Sequence, residues 1–136
     1  MKISYTIENF MTQEVISVEH TASIRQAIQR MVEKNIGAVV VTKDREKVGI
    51  LTERDVLKTL CFDSECAEKN ITKYMSSPLI TIDGKATLGR AADLMTEKRI
   101  RRLLVTSDGK IKGIITERDV MRATLDVFKR LSDSWQ

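Results

Sequence analysis

From Phe10 to Leu60 the chain follows a pattern that it repeats, without a gap, from Tyr74 to Thr124. At this offset of 64, 18 of the 51 paired positions are identical, among them Met11/Met75, Ala22/Ala86, Met31/Met95 and Gly49/Gly113. The longest shared phrase is GILTERDV, Gly49 to Val56, which returns as GIITERDV, Gly113 to Val120. A gapless match of this extent is a duplicated structural unit, so one fold must serve both copies.

Both copies read alike. A short apolar strand is expected at Val15–Val18 and at Leu79–Ile82. Apolar residues then fall at Ile24, Ala27, Ile28 and Met31, and at Leu88, Ala91, Ala92 and Met95. That spacing lays one apolar stripe along a helix. The aliphatic runs Val39–Val41 and Leu103–Val105 predict a strand covered on both faces. A polar turn, KDREK or SDGK, reverses the chain into a strand ending at Leu51 or Ile115, and a helix starts at Thr52 or Thr116. Asp-Gly in the second turn is a strong hairpin signal.

The expected fold is therefore mixed α/β (α+β), two tandem β-α-β-β-α units with right-handed crossovers. Units of about 50 residues bury too little surface alone, so a pseudo-twofold pair that covers its own apolar faces is expected. The division predicted is an N-terminal arm at residues 1–9, units at 10–60 and 74–124, a polar connector at 61–73, and a helical tail at 125–136. Val127, Phe128 and Leu131 continue the helical pattern of that tail, which is expected to pack on the pair or on a second subunit, and the segment with Phe128 and Trp135 is a candidate for the element that meets a partner or moves.

Composition narrows the function. The charged fraction is 31%, with 23 basic and 19 acidic residues interspersed, so the net charge of +4 does not point to nucleic acid. Aromatics are 4%, too few for a base-stacking platform. No apolar run is long enough to span a bilayer, and MKISYTIENF lacks the features of a signal peptide, so a cytoplasmic location without membrane attachment is expected. Cys61 and Cys66, with a single His20, form neither a disulfide framework nor a zinc site, and two partly buried thiols are expected. His20 is expected to cap the turn before a helix. Neither a phosphate-loop nor a dinucleotide fingerprint is present, and no nucleophile–base pair is readily assembled, so no enzyme is expected.

FMTQEVISVEHTAS…IGAVVVTKDREKVGILTERDV and YMSSPLITIDGKATLG…IRRLLVTSDGKIKGIITERDV resemble two successive CBS domains, together a stand-alone CBS pair or Bateman module. The resemblance leaves outside only the first nine residues and the last dozen. It implies clefts between the paired units that accept adenosine nucleotides or S-adenosylmethionine, with no cofactor required. It also implies a homodimer.

In TERD, Thr52 and Asp55, like Thr116 and Asp119, stand three apart at a strand-to-helix junction. Two roles suit this spacing. The threonine hydroxyl and the carboxylate can cap the helix reciprocally. Alternatively, the helix N-terminus can face phosphate while the carboxylate accepts ribose hydroxyls. The resemblance implies the second: Asp55 and Asp119 hold the ribose diol, and Thr52 and Thr116 meet ribose or phosphate.

The copies differ at the start of the central strand, where Arg101 and Arg102 stand in place of Gly37 and Ala38. Family resemblance puts basic phosphate-binding residues there, and a guanidinium fork suits that task. The cleft that combines Asp55 with Arg101 and Arg102 is expected to be the stronger phosphate site. Arg99 reads as part of a solvated turn. The base is expected against Ile16, Ile36, Ala38, Ile80 and Ile100, for which core packing is the competing role. Arg54 and Arg118 are open to three roles: phosphate contact, a carboxylate pair, or solvent exposure. A protein partner reading the ligand state completes the expectation. The alternative is a ligand-free interaction or scaffolding dimer in which the T-x-x-D phrases are only helix caps.

Overall fold

The computed structural model describes residues 5–134, and Trp135 lies outside them. The chain folds as two compact units: residues 15–79, and residues 5–14 together with residues 80–134.

The first unit contains strand β1 (Ser17–Glu19), helix α1 (Ile24–Lys34), strands β2 (Ala38–Lys43) and β3 (Glu46–Thr52), and helix α2 (Glu53–Phe62). β1 and β2 are parallel, joined by the α1 crossover, and β2 and β3 form an antiparallel hairpin. Ser23 and Gln26 close a capping box at the start of α1. His20 therefore does not cap; its amide donates to the Thr42 carbonyl at 2.8 Å within the preceding turn. Ile24, Ala27 and Met31 of α1 pack on Val39, Val41 and Leu51 of the sheet, as the apolar periodicities require.

The second unit repeats the order with β4 (Thr81–Asp83), α3 (Leu88–Lys98), β5 (Arg102–Ser107), β6 (Lys110–Thr116) and α4 (Glu117–Ser134). Ala91, Met95, Leu103, Val105 and Ile115 form its core. α4 carries the helical pattern of the predicted tail on without a break as far as Ser134.

Strand and helix edges differ slightly from expectation. The first strands begin two residues later than predicted, since ladder pairing starts at Ser17↔Val40 and Thr81↔Leu104. The hairpin strands extend to Thr52 and Thr116, because these residues still pair with Ala38 and Arg102. Thr52 is thus both a strand end and the N-cap of α2.

Both units take in the segment that precedes the other repeat's first strand. Ile7, fully buried, and Met11 belong to the core containing β4–β6, while Ile71, also fully buried, and Met75 belong to the core containing β1–β3. The glycine of the repeated phrase explains the fit. A Cβ on Gly49 would collide with Met75 Sδ; one on Gly113 would meet Met11 Sδ at 2.5 Å and the Thr12 carbonyl oxygen at 2.8 Å. These glycines are required by close approach, not by an unusual φ.

Residues 61–73 are more than a polar connector. Cys66 is 1% exposed and Ile71 is buried in the first core, whereas Cys61 is exposed. The thiols are therefore not two of a kind. Asp63 fastens this stretch by accepting from Lys69 Nζ at 2.5 Å and from the Tyr74 hydroxyl at 2.8 Å. Those donors, Lys69 foremost, hold the Asp63 carboxyl down at about 2.

Candidate functional site

Each T-x-x-D phrase forms a reciprocal cap at a helix N-terminus. Thr52 Oγ1 accepts from the Asp55 amide at 3.1 Å, and Asp55 Oδ2 accepts from the Thr52 amide at 3.0 Å. Thr116 and Asp119 reproduce this at 3.1 and 2.9 Å. Two of the amides that a helix start leaves without intrahelical partners are thereby satisfied, and a carboxylate sits at the positive end of the dipole. All four residues remain partly exposed, so the caps do not seal the carboxylates from solvent.

The environments of the two aspartates differ. Asp55 Oδ1 accepts a further bond from Ser76 Oγ at 3.1 Å. Ser76 is fixed beside β3 by paired backbone bonds with Ile50 of 2.8 and 3.0 Å. Thr12 is fixed beside β6 by equivalent bonds with Ile114, both 2.9 Å. Yet among the described residues no side-chain hydroxyl bonds Asp119.

Arg101 and Arg102 fall in the unit that holds Thr116 and Asp119. Arg102 is the β5 partner of Thr116, and the Arg101 carbonyl accepts from the Glu117 amide at 2.8 Å. Arg101 lines an open cleft of about 310 Å³ with Arg99, Glu117 and an apolar floor of Ala92, Met95, Ile100 and Val120. Arg102 is not among the residues lining that cleft. Arg101 Nε stands 4.0 Å from Glu117 Oε2, a loose and exposed pair. Arg99, at φ 55°, is the left-handed residue that ends α3, as Asn35 ends α1. It belongs to the turn, as expected, and also borders the cleft.

Of the residues proposed for the base, Ile16 and Ile36 pack against the core of the first unit, and Ile80 and Ile100 against that of the second. Ala38, at the start of β2, is partly exposed and pairs with Thr52. Arg54 and Arg118 are exposed. Among the described residues no group of three or more His, Cys, Asp or Glu side chains could hold a metal, and no helix is long and apolar enough to cross a membrane.

Repeat and motif assign no role to Ser76 or the Asp63–Lys69–Tyr74 cluster, and they mark Met11/Met75 as equivalent without indicating the close approach to Gly113 and Gly49. Ser76 stands opposite Thr12 in the repeat, but that equivalence does not mark the bond to Asp55, since Thr12 makes none to Asp119.

A duplicated strand-helix-strand-strand-helix unit with a capped T-x-x-D at each final helix defines a class of tandem modules. Residues 7–61 and 70–126 each match the CBS domain family model, and the chain belongs to that family. A 17.7 kDa protein of Acidianus ambivalens is 32% identical over 123 residues, covering 89% of this chain and 74% of its own length. Some relatives are longer. The chain spans 62% of a Methanopyrus kandleri protein and 43% of a Methanocaldococcus jannaschii protein, each 31% identical. Among solved structures, a CBS-domain-containing protein from Agrobacterium tumefaciens superposes with a TM-score of 0.85 at 27% identity, over 90% of this chain and 95% of its own. The protein CBSX2, solved in complex with AMP, superposes with a TM-score of 0.75 at 30% identity, over 90% and 98%.

Proposed function

We propose that this chain is a regulatory module that senses an adenosine-type small molecule: AMP, ADP, ATP or S-adenosylmethionine. Asp55 and Asp119 accept the ribose hydroxyls, Thr52 and Thr116 contact ribose or phosphate, and Arg101 and Arg102 balance phosphate charge. The observation that carries the reading is the pair of carboxylates held at helix N-termini with solvent still reaching them. There, free acceptor capacity meets a positive dipole end. The AMP complex of CBSX2 supports the same ligand class. Adenine is recognised through strand backbone, with Ile16, Ile36, Ala38, Ile80 and Ile100 as the aliphatic surroundings.

Thermal melting of the protein with AMP, ADP, ATP, GMP and S-adenosylmethionine tests this. A ligand at 100 times its Kd raises native-state stability by about 2.7 kcal/mol. The shift is expected for an adenosine ligand, diminished in Asp55→Asn or Asp119→Asn and lost in the double variant. Asparagine keeps an oxygen to accept the capping bond, so lost binding is separated from lost stability. Which aspartate shares its ligand with the arginines is read from coupling. Pairing of Asp55 with Arg101 and Arg102, the sequence-based expectation, predicts a non-additive loss of AMP affinity when Asp55→Asn is combined with Arg101→Gln or Arg102→Gln.

A second reading is favoured by the reciprocal caps themselves: the phrases only start helices, and the protein is a ligand-free scaffold. No shift with any adenosine ligand, together with a loss of stability in Asp55→Ala, supports that reading. In either case we propose a homodimer, because α2 exposes Leu57 and Phe62 and α4 exposes Met121, Leu125 and Phe128.

A further inference from the structure

The two T-x-x-D sites are near copies in sequence, and they differ by one hydrogen bond. Asp55 spends both carboxylate oxygens inside the protein: Oδ2 on the Thr52 amide and Oδ1 on the Ser76 hydroxyl. Asp119 spends Oδ2 on the Thr116 amide, and among the described residues no side chain bonds its other oxygen. The Ser76 hydroxyl approaches Asp55 as a ribose hydroxyl would, an O–H donor at 3.1 Å. Its position is set by the backbone pairing with Ile50, so it does not depend on a freely swinging loop. Thr12 has the same backbone pairing with Ile114 but does not bond the carboxylate.

We propose that Ser76 is a specificity-determining residue that occupies the ribose-binding oxygen of Asp55 and so makes Asp119 the site filled first by a nucleoside. This rests on the adenosine reading above. A ribose diol that uses both carboxylate oxygens of Asp55 competes with the Ser76 donor for Oδ1, whereas at the equivalent oxygen of Asp119 it competes only with water. Ser76 is exposed, so water meets the released hydroxyl and the penalty is that of one partly compensated charged hydrogen bond. The expected penalty is about three- to tenfold in affinity. Phosphate charge does not enter this comparison when the probe is adenosine itself.

The experiment is a titration of the full chain with adenosine, followed by amide NMR at Thr52 and Asp55 and, separately, at Thr116 and Asp119. In the wild type, Thr116 and Asp119 are expected to respond at lower adenosine concentration. Ser76→Ala is expected to tighten the Asp55 site about three- to tenfold and to leave the Asp119 site unchanged. Thr12→Ala, melted alongside as a control for folding, is expected to leave both unchanged. Adenosine binding in which Ser76→Ala leaves the Asp55 affinity unaltered overturns the proposal, and a weakened Asp55 site overturns it by making Ser76 a ligand contact. A wild type to which neither adenosine, AMP nor S-adenosylmethionine binds overturns the adenosine reading as a whole, a different result from binding that ignores Ser76.

Discussion

Gly49 and Gly113 occupy the same place in the repeated phrase, yet what a side chain would meet there differs. At Gly49 the three nearest atoms all belong to the Met75 side chain, which is flexible. At Gly113 the Thr12 carbonyl oxygen, at 2.8 Å, is backbone already tied to Ile114. Gly113→Ala is therefore expected to cost about 1–3 kcal/mol, and Gly49→Ala less, because thioether rotamers give way more easily than a bonded backbone. Urea midpoints for both variants check this, and equal midpoints would refute it. Asp63 supplies a pH-dependent counterpart. Its folded pKa is depressed, from 3.8 to about 2, mainly by the Lys69 hydrogen bond. The stability it contributes is complete above pH about 4 and is lost as pH falls toward 2. The gap in urea midpoint between wild type and Asp63→Asn is expected to be open at pH 7 and to close across that window. At this scale the sequence was legible where chemistry is local: T-x-x-D forms its cap within four residues of chain. It was not legible where the partner is remote, as for Ser76 on Asp55 or Met11 over Gly113, because spacing carries no record of such contacts.

The hairpins show how far element-level reading extends. Both turns are two residues long, between Lys43↔Glu46 and Ser107↔Lys110, and both central residues have positive φ. Asp108-Gly109 suits that geometry; Asp44-Arg45 does not, and Arg45 sits at φ 68°. Left-handed backbone costs a non-glycine residue about 1–2 kcal/mol, against which glycine gives back some chain entropy. Arg45→Gly is thus expected to stabilise the first unit by about 0.5 kcal/mol, and Gly109→Ala to destabilise the second by a comparable amount or more. Denaturant unfolding of the two variants measures both, and a destabilising Arg45→Gly would show that the guanidinium makes an unrecognised contact. The order of strands and helices was readable because apolar period 3.6 and continuous aliphatic runs leave few alternatives. Strand starts were not, because ladder pairing depends on a neighbour: Val15 and Ile16 are as apolar as Val18 but precede the first paired residue. The polar look of residues 61–73 likewise hid Cys66 and Ile71, two apolar side chains that complete a core.

For the whole molecule, the open matter is what meets the apolar surface that folding leaves uncovered. On α4, Met121, Leu125 and Phe128 are spaced four and three apart and form one stripe, and all are more than half exposed. Leu131, one turn on, is 52% exposed. An antiparallel pairing of α4 with the same helix of a second copy, centred on Phe128, sets Leu125 against Leu131 and brings the Asp126–Arg130 pair, 3.1 Å apart within each helix, beside its oppositely directed counterpart. The patch is therefore self-complementary in both shape class and charge, the property that a twofold interface requires. On α2, Leu57 stands at the position equivalent to Met121, so the duplication gives each unit a comparable apolar helix face. Burying four such side chains per copy offers several kcal/mol, enough to matter against the entropic cost of association when packing is good. Light scattering is expected to return twice the 15.5 kDa chain mass, and Leu125→Lys with Phe128→Lys to return the single mass with helical circular dichroism intact. Leu125 and Phe128 belong to neither hydrophobic core, so their replacement tests association and not folding. A wild-type mass of one chain, or a double variant that stays paired, would mean that the α4 stripe is covered by something other than its own copy.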